Sequence, residues 1–243
     1  MKRILYIIGL IILSLSIKTM AKPQTDMKKN AETRKPDFVS IKRETLDPKS
    51  RYYYPELMKR YERNETIMNL DDYRYLYLGT IFQEDYNPYR KSANRDKIRE
   101  LYYRTEHTRP ELDSIITYAQ RSLEDDPFDL EQINYLIYAL RGRGKNNTAN
   151  IWQYRLNHLL QAIISTGTGL DTANAWYIIN PRHEYNIINF QGRTAESQEF
   201  IEPYYEYIRL SPSTDQNSKT PDGYYFNIHH LLEEYYKKYP DQY

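Results

Sequence analysis

Apolar residues recur at helical spacing through the first two thirds of the chain and at strand-like spacing after that. Phe38, Ile41 and Thr45 follow Asp37 on one helix face, and Asp47-Pro48 closes this first short helix. Pro55 stands in the first turn of a second, with Leu57, Met58 and Tyr61 on one side. The third, from about Asp71, is different. Between Tyr73 and Phe82 its only charge is Arg74, so it is apolar all round and belongs inside a bundle. Gly79 costs helix propensity there, which a close approach by a neighbouring helix explains. Ile98, Leu101 and Tyr102 mark a further helix. Pro110 opens another, with Leu112, Ile115, Ile116, Ala119 and Leu123 at spacings of three and four, and Asp126-Pro127 stops it. Asp129 caps the next, with Gln132 three positions on and Ile133, Leu136, Ile137 and Leu140 as its buried stripe. After Arg141 to Lys145, a long helix carries Trp152, Leu156, Leu159, Leu160, Ile163 and Ile164.

The periodicity changes at Ser165 to Gly169. Short β-branched and aromatic runs follow at Ala175–Asn180, Tyr185–Phe190, Tyr204–Leu210 and Tyr224–Ile228, separated by Pro181, Gly192, Pro212 and Asp222-Gly223. They predict a small, mostly antiparallel sheet. Residues 211–223 form a polar connection between its last two strands, and HLLEEYYKKY, 230–239, is a closing helix. The expected fold class is α+β, with antiparallel helical hairpins over 36–166 followed by a sheet and C-terminal helix over 167–243, packed as one domain.

The first residues change the picture of where this fold works. Lys2 and Arg3 precede an apolar run, Ile4 to Ile17, and Thr19-Met20-Ala21 ends it with the small-x-small pattern of a signal-peptidase site. The run is shorter than the roughly 20 residues of a membrane-spanning helix. Residues 1–21 are therefore read as a signal peptide, 22–35 as a disordered leader, and the mature chain as periplasmic or secreted, with no stable membrane anchor. With no cysteine anywhere, a thioether lipid anchor is chemically excluded, and the exported chain is held by its core rather than by disulfides. Removing Lys2, Arg3 and Lys18 from 34 basic residues leaves 31 against 33 acidic ones, a charge of −2. That balance provides no field to gather phosphate backbones, so nucleic acid is not an expected partner.

The chain holds 27 tyrosines, nine of them between 50 and 90. Buried rings whose hydroxyls satisfy stray carbonyls account for most of these; a sugar-stacking platform is the alternative. After Phe82 the sequence QEDYNPYR is polar, loop-like and aromatic together, which makes Glu84, Asp85, Tyr86, Asn87 and Tyr89 candidate binding residues. The competing reading is a helix exit whose acids pair with Arg90 or Arg95. His183, Glu184 and Tyr185, opening a predicted strand after Pro181, form a second candidate as a polar pocket wall, against a structural histidine.

Complete catalytic sets are missing from the sequence. The histidines are His107, His158, His183, His229 and His230; none stands three to five residues from another, and His183-Glu184 lacks the second histidine of HExxH because position 187 is isoleucine. A metal would need histidines and acids assembled from distant segments, so no metal and no cofactor are expected. Gly142 to Lys145 resembles the end of a P-loop, but residue 139 is alanine and a helix precedes it. Gly167 and Gly169 suit a tight helix-to-strand connection better than a phosphate cradle. No GxSxG nucleophile motif occurs.

Two resemblances add to this reading. Leu112 to Ile164 looks like tetratricopeptide-type helix pairing, as hairpin stacking rather than a repeat array, with EDDPFDLEQINYLIYALRGRGK similar to the junction between two repeats. The strings RYYYPELMKRYE, DDYRYLYLGTIFQEDYNPY, TGTGLDTANAWYIINPRHEYNIINFQG and YYFNI, in that order, resemble a Bacteroidota family known only as domain of unknown function 4919. That resemblance implies an exported protein of a Gram-negative bacterium and carries no chemistry. The expected role is a non-catalytic binding or scaffolding module of the bacterial envelope, with an envelope protein or glycan as partner. The alternative is a polysaccharide-directed hydrolase, with Glu84 or Asp85 as acid or base and Tyr86 and Tyr89 stacking on sugar rings.

Overall fold

The computed structural model describes residues 33–65, 67–212 and 221–242. The expected signal peptide, all of the leader except Thr33 to Lys35, and most of the polar connection at 211–223 lie outside the described residues. Three short helices come first: α1 (Phe38–Leu46), α2 (Tyr54–Glu62) and α3 (Leu70–Gly79). Three long ones follow: α4 (Arg109–Asp125), α5 (Leu130–Gly142) and α6 (Asn146–Ile164). Strand β1 (Trp176–Tyr177), helix α7 (Arg182–Phe190), strands β2 (Ala195–Ile201), β3 (Tyr205–Leu210) and β4 (Gly223–Asn227), and helix α8 (His229–Lys238) complete the chain. This is an α+β fold with its helices first and its sheet last.

Local chemistry sets the helix ends. Asp37 accepts from Ser40 N at 3.1 Å, Asp129 accepts from Gln132 N at 3.1 Å, and Asn69/Asp72 and Thr108/Glu111 form reciprocal capping boxes. Helix α3 lies among α1, α2 and α6, which explains its apolar circumference: Tyr73, Leu76, Tyr77 and Leu78 are all buried. A Cβ on Gly79 would stand 2.6 Å from Thr45 Cγ2, so α1 crosses α3 where no side chain intervenes. Arg74, also buried, donates to Ser165 Oγ at 2.5 Å and to the Arg34 carbonyl at 2.7 Å, so its charge is not left bare.

Two expected elements are corrected. Ile98, Leu101 and Tyr102 do not share one helix; they sit in two 3-10 turns, Arg95–Ile98 and Leu101–Tyr103. Side-chain anchors override helix continuity there: Arg95 is tied to Asp129 and Glu131, and Tyr102 stacks on Tyr135 at 3.7 Å. Residues 185–190 are not a strand but most of α7. Its buried positions, His183, Glu184, Ile187 and Ile188, repeat with helical spacing, and Pro181 stands at its N-cap. Packing against α5 has overridden the strand propensity of the isoleucines.

The sheet order is β1-β4-β3-β2, parallel between β1 and β4 and antiparallel elsewhere. Only two residues of the expected 175–180 strand pair. Strand β2 was not expected: AESQEFI has neither face buried, and its Glu196 and Glu199 suit an exposed edge. Helix α6 contacts β1, α5 contacts α7, and one apolar core runs from Ile41 to Leu231 through both halves.

Candidate functional site

Loop 83–90 leaves its polar residues outside and sends its rings inward. Glu84, Asp85 and Asn87 are exposed. The Asp85 carboxylate reaches Arg90 only at 3.5 Å, although its backbone carbonyl accepts from the same guanidinium at 2.6 Å, and Asn87 Oδ1 accepts from Tyr89 N at 3.0 Å, an ordinary loop contact. Tyr86 donates to the Ile179 carbonyl and Tyr89 to the Leu231 carbonyl, each at 2.9 Å. Burial pushes both phenols upward. The two tyrosines therefore fasten the loop to the β1 exit and to α8, and their rings are not stacked outward beside the two acids.

The second group sits in the first turn of α7 and divides in two. His183 is 1% exposed, and both of its ring nitrogens are in use: Nδ1 lies 2.6 Å from Tyr77 Oη and Nε2 3.0 Å from the Phe128 carbonyl. A carbonyl only accepts, so Nε2 carries the proton and Nδ1 accepts from Tyr77. The Tyr77 oxygen in turn accepts from Ile179 N at 3.2 Å. Burial, with Arg182 adding to it, lowers the His183 pKa to about 3. It is a neutral connector between α3, the α4–α5 turn and α7.

Glu184 faces the other way. It is fully buried, and neither carboxylate oxygen makes a hydrogen bond among the described residues. Burial raises its pKa well above the usual value, and the Glu206 carboxyl of β3 adds to this from close by while remaining outside hydrogen-bonding geometry. Glu184 is thus held as the neutral acid. Tyr185 donates to Gln198 Oε1 at 2.8 Å, and both Tyr185 and Tyr89 feel Glu206. Glu184 and Glu206 are both buried and close to one another, and Tyr89 and Tyr185 lie within electrostatic reach of Glu206, whereas Glu84, Asp85, Asn87 and His183 lie elsewhere.

An ionic clamp that the sequence did not disclose closes the α4–α5 turn. Arg182 donates to Asp126 Oδ2 at 2.9 Å, to Asp129 Oδ2 at 3.4 Å and to the Arg90 carbonyl at 3.2 Å, while Arg95 bridges Asp129 and Glu131. Burial and Asp129 push Asp126 up to about 6, against the pull of Arg182.

An open feature lies on α1. Phe38, Val39, Lys42, Arg43, Leu46 and Phe82 line an apolar depression of about 480 Å³. Val39 is 78% and Leu46 46% exposed. Phe38 meets Phe82 edge-on at 6.4 Å and is backed by Tyr177 at 5.4 Å and by His230 of α8 at 4.6 Å. Lys42 Nζ lies 5.8 Å from the Phe82 ring. Val39, Lys42, Arg43 and Leu46 occupy positions i, i+3, i+4 and i+7, a second helix stripe opposite the buried Ile41 and Thr45. That stripe is visible in FVSIKRETL once the outward face is read as well as the inward one.

Behind the depression, the first turn of α8 gathers metal-ligating atoms. Nitrogens of His229 and His230 and the Glu233 carboxylate lie within 4.8 Å of one another. Glu233 is shared, Oε1 standing 3.4 Å from His229 Nε2 and Oε2 2.7 Å from His230 Nδ1. Reading histidine pairs alone overlooked this set, because its third member is a glutamate: HHLLE supplies all three within five residues.

No curated protein and no solved structure matches the chain. A family model does, across residues 39–237, which takes in every helix and strand described above except the first residue of α1 and the last of α8. On that match the chain belongs to the family described as domain of unknown function DUF4919.

Proposed function

We propose that the protein is an exported, non-catalytic binding module of the bacterial envelope and that its contact surface is the outward stripe of α1. The occupant is an amphipathic segment of a partner protein that inserts an apolar side chain between Val39 and Leu46 and places carboxylates against Lys42 and Arg43. The observation that carries this is an exposed apolar depression floored by two phenylalanines and rimmed by two cations. Val39 and Leu46 present apolar side chains that a partner can cover, and rim charges choose the partner and speed its approach. The ion pair of Arg43 with Glu44 at 3.0 Å is exposed and holds little energy, so the guanidinium remains available to a partner. Export rests on Lys2, Arg3, the apolar run and Thr19-Met20-Ala21. A polysaccharide hydrolase built on Glu84 and Asp85 gains no support, since Tyr86 and Tyr89 are turned inward.

Anisotropy titration of a labelled helical peptide with Leu at i and i+4 and flanking Glu tests the binding claim, with a Lys-flanked version as control. The Glu peptide should bind saturably and more weakly in added salt, the Lys peptide should not, and Val39→Asp with Leu46→Asp should weaken binding tenfold or more while Glu84→Ala with Asp85→Ala leaves it unchanged. Equal binding of both peptides, or indifference to the aspartates, overturns the proposal. Self-association lost in the same aspartate variant would hand the face to a second copy instead. Amino-terminal sequencing of the exported fraction should begin at Lys22; an unprocessed cytoplasmic chain would remove the envelope from the proposal.

A further inference from the structure

We infer that His229, His230 and Glu233 form a binding site for a divalent transition-metal ion of the zinc class. Neighbouring residues on a helix diverge by about 100°, so adjacent histidines converge only if they reach with different atoms. Here they do: His229 presents its distal nitrogen Nε2 and His230 its proximal nitrogen Nδ1, and Glu233, four and three residues on, offers one oxygen to each. Metal–nitrogen and metal–oxygen bonds of roughly 2.0 to 2.2 Å at tetrahedral angles separate ligand atoms by about 3.4 Å. The His229–Glu233 separation is 3.4 Å, and all three donors stay within 4.8 Å of one another, so small rotations of the exposed His229 and Glu233 side chains about the fixed His230 complete the shell.

The site is also held in place. The His229 backbone N–H donates to Asn227 Oδ1 at 3.1 Å, which sets the start of the helix. Its ring lies 4.8 Å from that of Tyr204, and the His230 ring meets Phe38 at 4.6 Å. Aromatic walls that fix imidazole orientation reduce the ordering needed on binding. A helix N-terminus is weakly unfavourable for a cation, which argues against loosely held hard ions and leaves two imidazoles and a carboxylate as the source of affinity. The ion takes the place of the hydrogen in the His230 Nδ1–Glu233 Oε2 contact, and the imidazole then carries its proton on Nε2. Three protein ligands leave a fourth position for water or for a donor from a partner. His229 and Glu233 are 46% and 48% exposed at their side chains, so an ion has a path in.

The test uses the mature full-length chain without a histidine tag. Cobalt(II) should bind one per chain and develop the visible bands of a low-symmetry, low-coordinate ion, and zinc(II) should displace it; magnesium and calcium should not. His229→Ala and Glu233→Gln, both on the surface, should each weaken zinc binding at least tenfold by calorimetry and together abolish the cobalt bands, with far-ultraviolet dichroism unchanged. His158→Ala should leave binding as it was. Cobalt without visible bands, or zinc affinity indifferent to the double substitution, would reduce the cluster to two ordinary histidine–carboxylate contacts. The outcome is independent of peptide binding to α1, which is read with metal chelated.

Discussion

Helices α7 and α8 both open with histidine and glutamate, and their surroundings give the same residue types opposite roles. In α7, His183 and Glu184 are 1% and 0% exposed; the imidazole is consumed by two buried hydrogen bonds, and the carboxyl is kept neutral beside Glu206. In α8, His229, His230 and Glu233 meet one another at the surface beside an apolar depression. Access separates the two: His183 is spent on two buried partners, whereas the His229 and Glu233 side chains can be reached from solvent.

The sharpest way to break this comparison is to remove each histidine in turn. His183→Ala orphans the Phe128 carbonyl and the Tyr77 hydroxyl proton and leaves a cavity, and should cost about 3 kcal/mol in urea unfolding. Equal, small losses at His183 and His229 would erase the distinction.

Glu184 comes next. Its folded pKa is raised, so the stability linked to this group is complete below its unfolded value near 4.5 and declines as pH rises toward the folded value. Glu184→Gln should match the native chain at pH 4 and exceed it at pH 8, with the difference growing by up to about 1.4 kcal/mol per pH unit across the window. Asp126, raised to about 6, contributes the same sign, and Asp72, lowered by its Asn69, Arg60 and Arg51 hydrogen bonds against the effect of burial, the opposite. Both remain in native and variant chains, so the difference between them reports Glu184. A flat difference would mean that the carboxyl is solvated.

Tyr86→Phe deletes only the hydroxyl that holds loop 83–90 to the Ile179 carbonyl and should cost about 1 kcal/mol, read as a lower melting temperature. A neutral result would free that ring for ligand stacking and revive the sugar-binding reading. The smallest effect belongs to His229→Ala without metal, under about 0.5 kcal/mol, because its carboxylate contact is exposed.

Much of the helical half was legible from local rules. The start after Asp37, the cap at Asp129, the opening at Pro110, the proline stops, and the stripes of α4, α5 and α6 all act within one or two turns, so pattern and structure coincide. The sheet half was harder to read. Residues 185–190 carry isoleucines that suit a strand, and only their burial against α5 makes them helical; β2 carries no apolar alternation because both of its faces are exposed. Of the candidate binding residues, the exposed Glu84, Asp85 and Asn87 were correctly placed on a loop, but the inward turn of Tyr86 and Tyr89 depends on carbonyls roughly 90 and 140 residues away.

The sequence by itself determined the ends of α1, α4, α5 and α6, the apolar circumference of α3, the absence of disulfides and the lack of a complete catalytic motif, since each follows from residues within a few positions of one another or from composition. Tertiary structure alone decided that Glu184 is a neutral acid, that His183 is spent on Tyr77 and Phe128, and that Phe38 and Phe82 meet His230 beside an open depression. Burial and the approach of distant groups set a side chain's charge and reach, and neither is encoded in the identity of its neighbours along the chain.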